Sequence, residues 1–257
     1  MNISLTRMYV RKCEIDFLKF MNVSGLPNYT ITPINIMQKE ADSKGYAAPA
    51  NVKYDFDTNT HHMSIWTIFP TLSADYIMFH EFTHMIDTER FCKSDRIKYI
   101  SNKGYTEYHA SQVALMKMLG AKTIDSSLSF TMKQTVETYS GDKSVTELIS
   151  TPLNTISEII NRDDFPADIG TISTVIGLAF NYYGYRSICQ MFADNYAGSE
   201  KTSELNQLLG DSTVKLLDKL MYGWFDDSKV AVIDNLCKNL IFSMLKKYNF
   251  MWFRRHK

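Results

Sequence analysis

The stretch Ser73-Ala-Asp-Tyr-Ile-Met-Phe-His-Glu-Phe-Thr-His-Met-Ile-Asp87 places three chemically active side chains within an apolar run. On an α-helix, residues four apart lie on one face, so the imidazoles of His80 and His84 point the same way. Two imidazoles so placed can share one Zn²⁺. Glu81 is rotated by roughly a quarter turn from His80, so its carboxylate lies beside such an ion rather than on it. The spacing therefore predicts a metal site on a buried helix.

The order His-Glu-x-x-His is the motif of zinc peptidases, in which the glutamate takes a proton from the metal-bound water. The alternative is a helix with two core histidines and an incidental glutamate. Burying three polar side chains on an apolar helix costs roughly a few kcal/mol unless a partner satisfies them. A metal ion is such a partner, and the helical context favours the metal hypothesis.

A third ligand is available on the next predicted helix, which covers residues 105–119 between two glycines. A catalytic zinc site needs three protein ligands and an open position for water. Glu107 lies in the first turn of that helix and could reach the metal if the helix returns beside the first. His109 is the rival ligand. It lies about 200° from Glu107 around the helix axis, so only one of the two can face the ion. Glu107 could instead be a solvated carboxylate that complements the helix dipole.

Together the two stretches resemble the gluzincins, the zinc peptidases whose third ligand is a glutamate on the helix after the His-Glu-x-x-His helix. Within that group, Glu107-Tyr-His-Ala110, with Ala114 one turn on, resembles the ImmA/IrrE peptidases of phages and mobile elements. The resemblance covers about positions 80–120, and the usual apolar ending of the second helix is lacking. It favours Glu107 over His109. The implied zinc ligands are His80, His84 and Glu107, with Glu81 as the general base.

Neighbouring peptidase classes do not fit the motif's surroundings. Metzincins need a glycine three residues after the second histidine and a further histidine three residues beyond that. This chain has Asp87 and Arg90 at those positions. The upstream Gly-Cys-x-Ser context of peptide deformylases and the Gly-Thr-x-x-Asp context of aspzincins are also missing from the sequence.

Peptide hydrolysis further requires a donor that stabilises the oxyanion of the tetrahedral intermediate. The candidate donors on the second helix are Tyr105, Tyr108 and His109. Asp87, one turn beyond His84, could accept a hydrogen bond from a ligand imidazole, and Ser111 could support Glu107 in the same way.

A β-hairpin is predicted immediately before the metal helix, over residues 52–69. Apolar and polar residues alternate on both sides of a turn at Thr58-Asn-Thr60, as in a half-buried strand pair. The second strand, Met63–Ile68, is predicted to be a sheet edge that receives the backbone of an extended substrate. The alternative is an ordinary hairpin that covers the core. His61 and His62 point to opposite faces, cannot easily bind one ion together and are predicted to be exposed.

Other elements follow from periodicity and from glycine or proline breaks. Cys13–Met21 is predicted to form a short helix, and Tyr29–Ile36 an extended segment that Pro33 confines to an edge or a break. From Lys122 onward the chain is predicted to be mostly helical. The predicted helices cover residues 127–140, 144–161, 167–183, 185–197, 203–222 and 228–248.

Composition indicates a globular protein, with 45% apolar and 22% charged residues. The 28 basic and 28 acidic residues balance, so no basic excess argues for a nucleic-acid partner. The start of the chain has no apolar core typical of a signal peptide, and no apolar run is long enough to span a membrane. The four cysteines are widely spaced and predict buried thiols in a reducing compartment. These features favour a bacterial or phage cytoplasm.

The sequence thus predicts an α+β, mostly α fold in two regions. Residues 1–121 would form a zincin-like metal-binding region with a small sheet, the active-site helix and the third-ligand helix, and residues 122–257 a mostly helical region. The predicted activity is that of a zinc-dependent metallopeptidase acting on a protein or peptide substrate. The alternative is a zincin-fold binding protein that regulates or inhibits a host system without proteolysis. The sequence determines neither the substrate nor the oligomeric state.

Overall fold

The computed structural model describes residues 3–35, 48–72, 74–93, 95–198, 200 and 202–248. Over these residues the fold is α+β and mostly helical, as predicted. The helices are α1 (Ile3–Met21), α2 (Asp75–Asp87), α3 (Arg96–Ser101), α4 (Lys103–Met118), α5 (Val145–Ile160), α6 (Ile169–Phe192), α7 (Ser203–Leu209), α8 (Asp211–Leu220) and α9 (Asp227–Lys247). The strands are β1 (Tyr29–Ile34), β2 (Ala50–Asp55), β3 (Thr60–Trp66), β4 (Thr135–Thr138) and β5 (Gly141–Ser144).

The chain divides into two compact units that do not follow one boundary in sequence. The first comprises Met1–Arg96, Val113–Leu128 and Thr135–Lys143. The second comprises Ile97–Gln112, Ser129–Gln134 and Ser144–Lys257. The predicted regions 1–121 and 122–257 stay a prediction. No helix in the described part of the chain has the length and apolar character needed to cross a membrane.

The first unit contains a three-stranded sheet in the order β1-β3-β2. β3 is parallel to β1 and antiparallel to β2. The prediction that β3 is a sheet edge is therefore wrong, because β1 occupies the side left open by the hairpin. Pro33 in β1 has no N–H to donate, which suits the edge position predicted for it. Within the described residues, β2 is the other edge strand.

The buried face of β3 carries His61, Met63 and Ile65, each at most 1% exposed. The prediction that His61 is exposed is therefore wrong. Side chains alternate along a strand, so His61 shares the inward face with Met63 and Ile65. His62 points to the other face, where it is exposed as predicted.

α1 packs against α2 in the first unit through a cluster of aromatic rings. The Phe17 ring lies 5.3 Å from the rings of both Phe79 and Phe82. At the start of α2, the Tyr9 hydroxyl donates to Asp75 Oδ1 at 2.9 Å. α1 begins ten residues before the predicted Cys13 start. These contacts hold α2 against α1 from Asp75 to Phe82.

The second unit brings α4 very close to α6. A Cβ built at Gly104 would lie 2.8 Å from the Phe180 ring, and one built at Gly184 would lie 2.3 Å from the backbone oxygen of Tyr108. The predicted helix break at Gly184 is therefore wrong, since α6 runs through it. Gly104 likewise lies inside α4 rather than before it. Both glycines serve close helix packing rather than termination.

Several predictions for the later part of the chain are confirmed and others are wrong. α5 and α9 form close to their predicted bounds, and Ser144 begins α5 with a capping box to Glu147. The predicted helix at 127–140 is wrong, because β4 and β5 form a hairpin there. The predicted helix at 203–222 is divided into α7 and α8 at Gly210, whose φ is 84°. All four cysteines are buried free thiols, as predicted.

Candidate metal centre

α2 presents His80 and His84 on one face, as the four-residue spacing predicts. Their ring centroids lie 4.6 Å apart at an interplanar angle of 86°. Both residues are half-buried, whereas Phe79, Phe82 and Met85 on the other faces are at most 1% exposed. The helix is therefore fixed by its apolar faces, and its two imidazoles remain partly accessible.

Glu107 joins this pair to form a possible metal-binding group. His80, His84 and Glu107 each offer one ligand atom, and the three atoms lie within 4.8 Å of one another. Ligand atoms around a tetrahedral zinc with bonds of about 2.05 Å are about 3.3 Å apart. Small movements of the three side chains would bring their ligand atoms from within 4.8 Å to the separation that zinc requires. Two histidines and one glutamate also match a catalytic zinc set, which leaves a fourth position for water.

Glu107 lies in the second turn of α4 and its side chain is 12% exposed. It is therefore a nearly buried carboxylate and not the solvated first-turn group of the alternative hypothesis. Lys103, one turn earlier, donates from Nζ to Glu107 Oε1 at 2.6 Å. The prediction overlooked Lys103, although Lys and Glu four residues apart on a predicted helix would have indicated the pair.

His109, the rival third ligand, lies among aromatic rings. It stacks on Tyr105 with centroids 5.6 Å apart, and the Trp224 ring meets it edge-on at 6.2 Å. The possible metal-binding group of the described residues contains Glu107 and does not include His109. This arrangement agrees with the roughly 200° that separates the two side chains around α4.

Glu81, the predicted general base, is 7% exposed on α2, directly after His80. Asp87, the predicted acceptor for a ligand imidazole, is 1% exposed one turn beyond His84. Ser111 does not support Glu107 as predicted, because its hydroxyl donates to Asn181 Oδ1 at 2.8 Å. The two acidic residues are thus held within the packed body of the first unit.

The three predicted oxyanion donors have different surroundings. Tyr108 is fully buried, and its hydroxyl donates to the Gly223 carbonyl at 2.7 Å. Burial raises the pKa of the Tyr108 phenol above its ordinary value. Tyr105 is 6% exposed and stacks against Phe225. The Tyr108 hydroxyl is thus engaged with a backbone carbonyl in the folded chain.

Tyr76 was not predicted and lies one turn before His80 on the same face of α2. Its hydroxyl accepts a hydrogen bond from the Tyr139 backbone N–H at 3.4 Å. Burial raises the pKa of the Tyr76 phenol to about 12. The repeated four-residue spacing of positions 76, 80 and 84 was the signal that could have indicated it.

No family model, curated protein or solved structure matches this chain.

Proposed function

We propose that this protein is a zinc-dependent peptidase of the gluzincin type. The observation that carries the proposal is the convergence of His80, His84 and Glu107, whose ligand atoms lie within 4.8 Å of one another. Glu81 completes the His-Glu-x-x-His motif on the same helix. A set of three ligands with a carboxylate beside it is the arrangement that hydrolytic zinc sites require.

In this mechanism a bound zinc would polarise the scissile carbonyl and lower the pKa of a water molecule. Glu81 accepts the proton of the attacking water and transfers it to the leaving amine, which makes it base and then acid. Tyr105 or His109 donates a hydrogen bond to the developing oxyanion. Asp87 orients a ligand imidazole by accepting from its second ring nitrogen.

An extended substrate would pair with the edge of β2 rather than with β3. β3 is central, whereas β2 packs against α2 and, among the described residues, pairs only with β3. Trp66 donates its N–H to the Pro49 carbonyl, which sets the hydrogen-bonding phase of the β2–β3 ladder. By alternation Asn51 and Lys53 direct their backbone groups toward β3, and Val52 directs its own outward. A peptide added to this edge would therefore use the Val52 N–H and carbonyl.

The test of the proposed function is the Glu81→Gln variant, which keeps the shape of the side chain and removes the proton acceptor. Removal of a general base typically lowers the rate by ~10²–10⁴-fold. Zinc-loaded wild type and Glu81→Gln protein would each be incubated with a cell extract, and new peptide N-termini would be quantified by mass spectrometry. Termini that arise with wild type and vanish with Glu81→Gln support the peptidase. Equal termini with both proteins, or none with zinc-loaded wild type, would contradict it.

A further inference from the structure

The Lys103–Glu107 pair rests directly on the backbone of α6. A Cβ built at Gly177 would lie 3.1 Å from Glu107 Oε1 and 3.3 Å from Lys103 Nζ. Both distances are tighter than ordinary van der Waals contact, so a side chain at position 177 would displace the pair by a few tenths of an ångström. Because Gly177 has no side chain, the backbone of α6 itself limits how closely the Glu107 carboxylate can approach that helix.

Ordinary helix stabilisation accounts for the pair only in part. In exposed helices the favourable order places glutamate four residues before lysine, and α4 has the reverse order. The side chains are also largely withdrawn from solvent, with 30% of Lys103 and 12% of Glu107 exposed. The 2.6 Å separation is that of a short charge-assisted hydrogen bond, which fixes both distance and direction.

We propose that Lys103 and Gly177 are positioning residues for the metal centre. Lys103 holds Glu107 by Oε1, so the carboxylate binds the metal through its other oxygen alone, and Gly177 sets how far the pair can withdraw toward α6. This inference rests on the metal centre of the proposed function. A carboxylate restricted to one oxygen keeps the ligand count at three and leaves a position for water.

If Lys103 positions Glu107, its removal should weaken metal binding. If Lys103 acts only through its charge, its removal should strengthen metal binding. An ammonium group close to a dication repels it, so a lysine that acted only through its charge would weaken metal binding, and its loss would tighten it. A lysine that orients a ligand strengthens binding, and loss of such a supporting partner typically weakens metal affinity by ~10–100-fold. The sign of the change therefore separates the two roles.

The experiment measures zinc affinity of the full chain by competition with a chromophoric chelator. Lys103→Met should bind zinc ~10–100-fold more weakly than wild type. Lys103→Arg, which keeps a charged donor, should recover most of that loss. Lys215→Met removes the same charge from an exposed position on α8 and should bind as wild type does. A Lys103→Met variant that binds zinc as tightly as wild type, or more tightly, would overturn the inference.

Gly177→Ala supplies an independent measurement. Alanine is a better helix former than glycine, so the melting temperature of the metal-free variant should not fall. The added Cβ should move the Glu107 carboxylate by a few tenths of an ångström, which exceeds the about 0.2 Å range of metal–ligand distances. It should therefore weaken zinc binding by about tenfold. Unchanged affinity would contradict the role of Gly177. If wild type itself bound no zinc, the proposed function would fail together with this inference.

Discussion

His61 should make the stability of the first unit depend on pH. The residue is 1% exposed, and neither ring nitrogen has a hydrogen-bond partner among the described residues. Burial, with a smaller contribution from neighbouring His62, lowers the pKa of His61 from 6.5 to about 4. Between these values the unfolded chain binds a proton that the folded chain excludes. Stability is therefore fully present above about pH 6.5 and declines as the pH falls toward 4.

The size of this effect follows from the displacement of the pKa. A difference of about 2.5 between the unfolded and folded pKa, at 1.36 kcal/mol for each unit, corresponds to about 3 kcal/mol once both states are protonated. Most of it, about 2 kcal/mol, is lost between pH 7 and pH 5. Urea denaturation at both pH values would give the free energy of unfolding. His61→Leu removes the titrating group and should lose about 2 kcal/mol less than wild type over this interval.

The comparison with His61→Leu separates His61 from the carboxylates, which titrate in both proteins. Equal losses of unfolding free energy in wild type and His61→Leu would refute the assignment of this pH dependence to His61.

Two further predictions concern the substrate edge and the helix packing. Val52→Pro removes an outward N–H of β2 and should abolish cleavage of extended peptides while zinc stays bound; Asn51→Pro, which removes an N–H used by β3, should destabilise the fold instead. Full activity of folded Val52→Pro protein would exclude β2 as the substrate platform. Gly184→Ala places a Cβ 2.3 Å from the Tyr108 backbone oxygen and should destabilise the second unit by roughly 1–3 kcal/mol in urea denaturation. A stability equal to that of wild type would show that α4 and α6 can separate there at little cost.

The helix with His80 and His84 and the helix with Glu107 were predictable because local spacing alone determines which side chains share a helical face. His80 and His84 depend only on the 3.6-residue period, and the helix that carries Glu107 ends in a Schellman arrangement at Gly120, whose φ is 82°. No long-range information is needed for either feature. The convergence of Glu107 with the histidines is a tertiary property, and local spacing alone left His109 as a rival ligand that only the family resemblance disfavoured.

Other features depend on contacts that a local pattern does not contain. β3 was predicted to be an edge because its hairpin supplies one partner, whereas the second partner, β1, precedes it by about thirty residues. Gly184 was interpreted as a break because its actual role is invisible in the local sequence. The backbone oxygen that approaches it belongs to a distant helix. The hairpin at 135–144 had a usable signal, since the β-branched residues Thr135, Val136 and Thr138 precede a glycine at position 141. His61 also fitted the strand period, which places it on the inward face with Met63 and Ile65.

The most direct test of the metal centre is the zinc content of the purified chain and of single ligand variants. Inductively coupled plasma mass spectrometry of the wild type should find one zinc per chain. His80→Ala and Glu107→Ala should lose the metal, whereas His109→Ala, on the same helix as Glu107, should retain it. If His109→Ala lost the metal and Glu107→Ala retained it, or if wild type bound none at saturating zinc, the three-ligand centre described here would be wrong.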